Sequence, residues 1–474
     1  MRSKNTAAIL PETVNTPRVL ILEPPNQLLP IDTARPNGAL GPAFLVAALR
    51  AEGIETDYYD GTAGHQGDLF YRRTEQSNGL VRYGASRKEL ESVIAEYDIV
   101  ATSSIFTAQT RMHFEIAAIA KSIGKPILTV AGGVNAGALR AQFLQNNFDI
   151  VVDGDGEDAI VAIVTGCPRR IRELDKLPLP ALDAMPLDTY QRIGIPHAGV
   201  LPPGTKFASI QTSRGCQDRC TFCHISVEKQ TGNGFLRMFN EERVSDMVDD
   251  AVREGVQRLY FEDDNLFFNK HRLRRLAPVL KRDGLEYSNV NGANLRFLFE
   301  RGEVDTQFIG MLADFGLREL VLPFESRDTG IMDRYATGKY SADRYDSAAL
   351  VKALKQAGIR IQGNFMIGFA DETWESVLRT KEYAREMMAA GLDACGFMIP
   401  VPYPGTVDFQ RLPQKSKNEF YSDLLNWTDR MHWRARPLFP TLIDGGRLKA
   451  AVQEFWEELN PSAYRAEKIG ANVQ

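Results

Sequence analysis

From residue 18 onward, short apolar runs rich in β-branched residues alternate with stretches whose apolar positions recur at helical spacing. The first run, Arg18–Leu22, reads as a strand that stops at Glu23-Pro24-Pro25. A helix is expected over about Ala43–Ala51, closed by Gly53. Further strands are expected near Glu55–Tyr59, Asp98–Thr102, Pro126–Val130 and Asp149–Val152, with a helix over about Gln109–Lys121 and a polar, loop-like stretch at 61–90. Five strands alternating with helices, each ending at Gly, Ser, Pro or Asp, predict a doubly wound, flavodoxin-like α/β sheet. In such sheets ligands lie beyond the carboxyl ends of the strands.

The pattern breaks at 165–205, where Pro168, Pro178, Pro180, Pro186, Pro196, Pro202 and Pro203 interrupt any period and suggest a linker wrapping between two domains. Alternation resumes at 206 with six expected strands: Phe207–Ser213, Arg258–Asp263, Glu286–Asn291, Arg318–Phe324, Arg360–Phe369 and Ala394–Val401. Stripes such as Val244, Met247, Val248 and Val252, or Phe308, Met311, Leu312 and Phe315, supply the helices between them. Six βα units in a row predict a partial TIM-like (β/α)6 barrel with its chemistry at the strand C-termini. The expected organisation is a frayed leader at 1–17, a first domain at 18–164, a linker at 165–205, a barrel at 206–410 and a small helical cap at 411–474 with Trp427, Trp433 and Trp456.

Composition narrows the function. A formal charge of −5 over 474 residues, without a Lys/Arg run, gives no case for a nucleic-acid partner. No stretch reaches the roughly 20 apolar residues of a membrane span, and no apolar signal-peptide core is seen, so a cytoplasmic location is expected. Of five cysteines, three crowd into Cys216–Cys223, which suits a metal site better than a disulfide framework.

The motif reads Ser213-Arg214-Gly215-Cys216-Gln217-Asp218-Arg219-Cys220-Thr221-Phe222-Cys223 and follows the first barrel strand directly. Three thiolates at C-x3-C-x2-C spacing can hold a cubane cluster and leave one iron without a protein ligand, an open position able to act on a substrate. Zinc would want a fourth ligand, and His224, adjacent to Cys223, is poorly placed to close a tetrahedron. Cys167 and Cys395 are too distant to complete a four-cysteine cluster and read as core or surface thiols.

This motif, with Phe222 and its place after a first strand, resembles the radical S-adenosylmethionine (SAM) superfamily. The resemblance implies a 4Fe–4S cluster on Cys216, Cys220 and Cys223, with SAM held at its open iron and cleaved to methionine and a 5′-deoxyadenosyl radical. It also implies SAM contacts at Phe222, at Glu262 and Asp263, at Asn294, and at Glu325 and Ser326, each near a strand end. Ala370-Asp371-Glu372 departs from the Gly- or Pro-bearing turn of that family and leaves the shape of that loop open.

The first domain resembles the cobalamin-binding domain that precedes many radical SAM barrels. The matching positions are Pro25 and Asn26, Ser103 and Ser104, Gly132 and Gly133, and Gly154 and Glu157, all in strand-end turns. Other cobalamin proteins place a cobalt-ligating histidine after the first strand. Here that turn has none, and His65 stands at the wrong spacing, so the cobalamin is expected not to be His-ligated. The resemblance implies an enzyme that uses the radical and cobalamin to methylate an unactivated carbon of a small-molecule substrate, with an external donor such as flavodoxin or ferredoxin. The alternatives are a cobalamin-dependent cyclisation, ring contraction or other rearrangement, and a non-catalytic iron–sulfur or corrinoid-binding module.

Overall fold

The computed structural model describes residues 17–30, 39–64, 72–168, 173–194, 201–202, 204–225, 236–336, 339–424 and 440–465. Its first sheet contains β1 (Val19–Glu23), β2 (Thr56–Asp60), β3 (Ile99–Ser103), β4 (Leu128–Gly132) and β5 (Ile150–Val151). The order is β2-β1-β3-β4-β5, with every pairing parallel. Strand order reverses between β1 and β3, which leaves a crevice beyond their carboxyl ends. Alternate residues of β1 face different layers: Val19 and Ile21 join the core shared with the second sheet, and Leu20 and Leu22 pack on the opposite side. Helix α1 (Leu40–Arg50) covers the first of these faces and α2 (Thr110–Ser122) packs within the second.

The stretch 61–90 is more ordered than its polarity suggests. Asn26–Leu28, Val81–Tyr83 and Arg73–Glu75 form a small antiparallel sheet. A helix at Arg87–Ile94 begins in a reciprocal Ser86/Glu89 capping box. Strands of three residues are too short to display a period of two, so composition hid them.

The second sheet runs β6 (Phe207–Ile210), β7 (Arg258–Phe261), β8 (Glu286–Asn289), β9 (Leu317–Glu325), β10 (Arg360–Met366) and β11 (Ala394–Met398). These lie in consecutive order, all parallel, with β6 and β11 as open edges. Five of the six expected strands overran at their C-termini, because residues such as Asp263 and Asn291 already belong to turns; β9 instead runs one residue past the expected Phe324. The β11 edge is closed by the C-terminal helix Gly445–Leu459. Just past it, the Asn460 side chain accepts from Cys395 N (2.9 Å) and donates to Cys395 O (2.8 Å), as a neighbouring strand would. Cys395 is buried and Cys167 exposed.

Among the contacts that join the two sheets are two from segments outside the sheets themselves. Within the proline-rich segment, the helix Leu187–Ile193 carries a fully buried Tyr190, whose ring stacks on Phe207 while its hydroxyl donates to Asp60 Oδ2 at 2.8 Å. The segment is therefore a packed joint rather than a surface strap. At the far side, Val401, Phe409, Leu412, Phe420 and Leu424 share a core with Phe114, Phe143 and Phe148 of the first domain. That part of the expected C-terminal cap acts as a clasp. Trp427 and Trp433 lie outside the described residues.

Candidate functional site

The cysteine loop leaves β6 through a two-residue ladder, Ser213 and Arg214 against Met238 and Arg237. Asp263, just past β7, pins its start. The fully buried carboxylate accepts from Thr212 N (2.9 Å), Thr212 Oγ1 (2.7 Å) and Ser213 Oγ (2.6 Å). Burial raises the pKa of Asp263, and these donors oppose that rise. Arg272 reinforces the anchor through Thr212 O (2.6 Å) and Thr212 Oγ1 (3.1 Å). Gly215, at φ 92°, donates its N–H to Asp264 at 2.7 Å.

Beyond Cys216, the loop is braced through Asp218. Its carboxylate accepts from Asn294 Nδ2 (2.8 Å) and Asn265 Nδ2 (3.4 Å) and lies 3.6 Å from Arg296. Thr221 N then donates to Tyr335 O at 2.8 Å, tying the loop to the segment after β9. The Cys216 sulfur accepts from Asp218 N (3.4 Å) and Asn265 Nδ2 (3.6 Å). Burial pushes the Cys220 thiol up to about 12 and that of Cys223 up to about 11, so a metal must displace their protons to bind. Three thiols, with N–H donors aimed at the Cys216 sulfur, on a loop fixed from β7, β8 and β9, fit an iron–sulfur cluster. Among the described residues no three His, Cys, Asp or Glu side chains converge closely enough to hold one metal ion. A cubane, whose thiolates bind different irons, does not require it.

Phe222 forms one wall of a cavity of about 230 Å³ at the strand C-termini, with Val321, Pro323, Met366, Tyr403 and the charged pair Glu325 and Lys339 around it. Glu325 closes β9 at φ 59°, where the register with β10 shifts, and its carboxylate pairs with the Lys339 ammonium. Burial pulls the Lys339 pKa down, but Glu325 and the nearby Cys220 and Cys223 carry it above its usual value. Of the expected SAM contacts, the structure brings Phe222 and Glu325 to this cavity. Glu262 stands at its margin, accepting from Ser209 Oγ (3.0 Å) and from Asn291 Nδ2 (3.1 Å). Three others are committed elsewhere. Asp263 anchors Thr212 and Ser213, Asn294 braces Asp218, and buried Ser326 accepts from Asp328 N at 3.1 Å and meets Thr380 Oγ1 at 3.3 Å. The loop left open at Ala370-Asp371-Glu372 is settled by Glu372, which accepts from Gly368 N (2.6 Å), Phe369 N (3.2 Å) and Ser376 Oγ (3.0 Å). Lys339, Asp218 and Asn265 were not singled out from sequence. Asp218 and Asn265 had a readable signal in their adjacency to the motif and to β7; Lys339 had none.

The crevice of the first sheet lies between Pro25 and Asn26 after β1 and Ser103 and Ser104 ending β3. Gln109 bridges it, accepting from Gln27 N (3.1 Å) and donating to Gln27 O (3.0 Å). The buried Gln27 Oε1 has no partner among the described residues. Ile105 and Phe106 stand 44 % and 42 % exposed on the β3 turn. An apolar platform beside an unpaired amide oxygen suits a flat macrocycle fringed with amides. Gly132 pairs with Ser103 at the strand ends. A Cβ on Gly133 would lie 2.4 Å from Ser104 O, so this glycine serves the crossing of two backbones and needs no ligand to explain it. Gly154 turns at φ 84°. Glu157 is buried against Arg214 at 2.6 Å, so its carboxylate faces the cysteine loop rather than the crevice. His65 lies outside the described residues. His113, beneath β3, contacts Thr102 Oγ1 at 3.0 Å, and burial depresses its pKa to about 3.

Comparison with known proteins assigns both halves. Residues 210–384 match the Radical SAM superfamily and residues 37–164 match the B12 binding domain. The chain thus carries both a radical SAM domain and a B12-binding domain, and its cofactors are a 4Fe–4S cluster, SAM and cobalamin. Several of the relatives it resembles are named as methyltransferases, and one is a cyclase. It is 24 % identical over 516 residues to cytidylyl-2-hydroxyethylphosphonate methyltransferase of Streptomyces wedmorensis, covering 96 % of this chain and 92 % of that one. It is 26 % identical over 352 residues to an uncharacterized methyltransferase of Pyrococcus horikoshii, covering 67 % of this chain and 70 % of the relative. The radical SAM methyltransferase TsrM from Kitasatospora setae, solved with cobalamin and a [4Fe-4S] cluster, shares the fold at a TM-score of 0.56 and 17 % identity, covering 85 % of this chain and 75 % of that chain. No helix among the described residues is long and apolar enough to cross a membrane.

Proposed function

We propose that this enzyme methylates an unactivated carbon of a small-molecule substrate, with Cys216, Cys220 and Cys223 as the cluster ligands. The observation that carries the reading is the placement of the cysteine loop. It is braced from three strand ends, and Phe222 within it walls the same cavity that Glu325 and Lys339 line. When bound, the cluster supplies the electron that splits SAM into methionine and a 5′-deoxyadenosyl radical, and cobalamin supplies the methyl group.

The chain's own share is to bind, orient and exclude. Glu325 and Lys339 set one negative and one positive group in a chamber lined also by Asn291, Asn364 and apolar side chains, a pair matched to the ammonium and carboxylate of an amino-acid moiety. Val321, Pro323 and Met366 keep water from a carbon-centred radical. Ile105 and Phe106 offer the surface on which a corrin would lie. The near full-length match to a methyltransferase supports methyl transfer. A soluble donor of the flavodoxin or ferredoxin class, in the cytoplasm, completes the scheme.

The test is anaerobic reconstitution with iron, sulfide and cobalamin, followed by mass spectrometry of the SAM products on a panel of candidate substrates. Methylated product with both 5′-deoxyadenosine and S-adenosylhomocysteine is expected. Product formed without S-adenosylhomocysteine would replace methylation by a rearrangement.

A further inference from the structure

A buried ion network joins the last turn of the first domain to the base of the cysteine loop. Arg214, two residues before Cys216, places its guanidinium 2.6 Å from Glu157 Oε1 and 3.4 Å from Asp155 Oδ1. Arg237, its ladder partner across the hairpin, pairs with both oxygens of Asp155. The Arg214 guanidinium also lies 5.1 Å over the Phe44 ring of α1 and donates to Gln211 Oε1 at 2.9 Å. Side-chain exposures of 14 % for Arg214 and 6 % for Glu157 leave little room for water to screen the contact. Asp155 and Glu157 open the helix Gly156–Thr165, which follows β5 and packs on α1.

A pair this buried is costly in desolvation, and apolar residues of the same volume would hold two domains together as well. What the ion network adds is direction. Two forked guanidinium groups from adjacent strands grip one turn, and bidentate geometry resists both sliding and rotation. The turn they grip belongs to the cobalamin-binding unit, and the strand that carries Arg214 leads straight into the cysteines. We infer that Arg214 and Glu157 are positioning residues that fix the cysteine loop relative to the cobalamin-bearing sheet and so set the separation and orientation of the two cofactors. This rests on the cluster being held by Cys216, Cys220 and Cys223 and on cobalamin occupying the first domain.

The test uses the fully loaded protein and reads geometry rather than turnover. A reduced cluster and cob(II)alamin each carry an unpaired electron, so pulsed EPR measures the dipolar coupling between them. Iron and cobalt are quantified first, and wild type without both cofactors would overturn the underlying reading and not this one. In loaded wild type a single, narrow coupling is expected. Arg214→Lys and Glu157→Gln should keep iron and cobalt at wild-type levels but broaden or lose that coupling. Arg237→Lys, whose side chain bonds Asp155 and lies outside the cysteine loop, should broaden it to a smaller degree and covers the case in which an Arg214 variant fails to fold. Unchanged coupling in all three variants would refute the inference. So would loss of either cofactor from every variant, because the network would then be supporting a binding site rather than setting a distance.

Discussion

Replacing Glu23 by Gln isolates one ionisation at the crevice of the first sheet. Glu23 ends β1 in register with Asp60 at the end of β2, and its carboxyl has no hydrogen-bond partner among the described residues. Burial, and then the charge of Asp60, push it from 4.5 to about 8. Asp60 differs because Tyr190, Thr62 N and Ala63 N donate to it, which offsets part of its own burial. Between the ordinary and the raised value the folded protein holds a proton that the unfolded chain has released. Stability therefore falls as pH rises, by up to about 1.4 kcal/mol per pH unit. Over the whole window this amounts to at most about 5 kcal/mol, and solvent contact at the partly exposed Glu23 trims it to roughly half. Glutamine keeps the shape and never ionises. Urea unfolding of cofactor-free protein, followed by circular dichroism between about pH 5 and 9, should show wild type and Glu23→Gln nearly equal at the acid end. The variant should be about 1–2 kcal/mol more stable near pH 7 and further ahead at pH 9. A difference independent of pH would refute the reasoning.

Other outcomes follow from single contacts. Cys220→Ala should bind substoichiometric iron and form no 5′-deoxyadenosine, read by iron assay and chromatography; wild-type cleavage would remove the cluster assignment. Gly133→Ala combines φ 86° with a 2.4 Å clash on Ser104 O and should cost about 2–4 kcal/mol, seen in thermal unfolding. Asn460→Ala strips the β11 edge of two hydrogen bonds and should cost roughly 1–3 kcal/mol by the same assay. Asp263→Asn leaves one of three donors to the cysteine-loop anchor poorly matched, and should lower iron occupancy after reconstitution more than it lowers the melting temperature.

Much of the architecture was legible because strand and helix periods differ and the strands are long enough to display them. Both parallel sheets and the place of Cys216 after β6 could be read this way. The strands of the small antiparallel sheet could not: Asn26–Leu28 and Arg73–Glu75 hold too few residues to show any alternation. Proline density made 165–205 look like a surface linker, because nothing in composition reveals that Tyr190 is buried between Asp60 and Phe207. Site residues divided along the same line. Polar groups at strand ends were found by position, but whether each faces ligand or backbone is a matter of tertiary contact. Asp263, Asn294 and Glu157 proved to be fasteners, and Lys339, distant from every motif, became visible only when the fold set it beside Glu325.

The clasp between Val401–Leu424 and the first domain has a consequence in time. Phe114, Phe143 and Phe148 are translated early, and the residues that cover them come only after the whole of the second sheet. Until those residues emerge, the first domain is complete in its sheet but bare on one flank. A chain cut short before Val401 should expose this apolar flank permanently and aggregate, even with both parallel sheets intact.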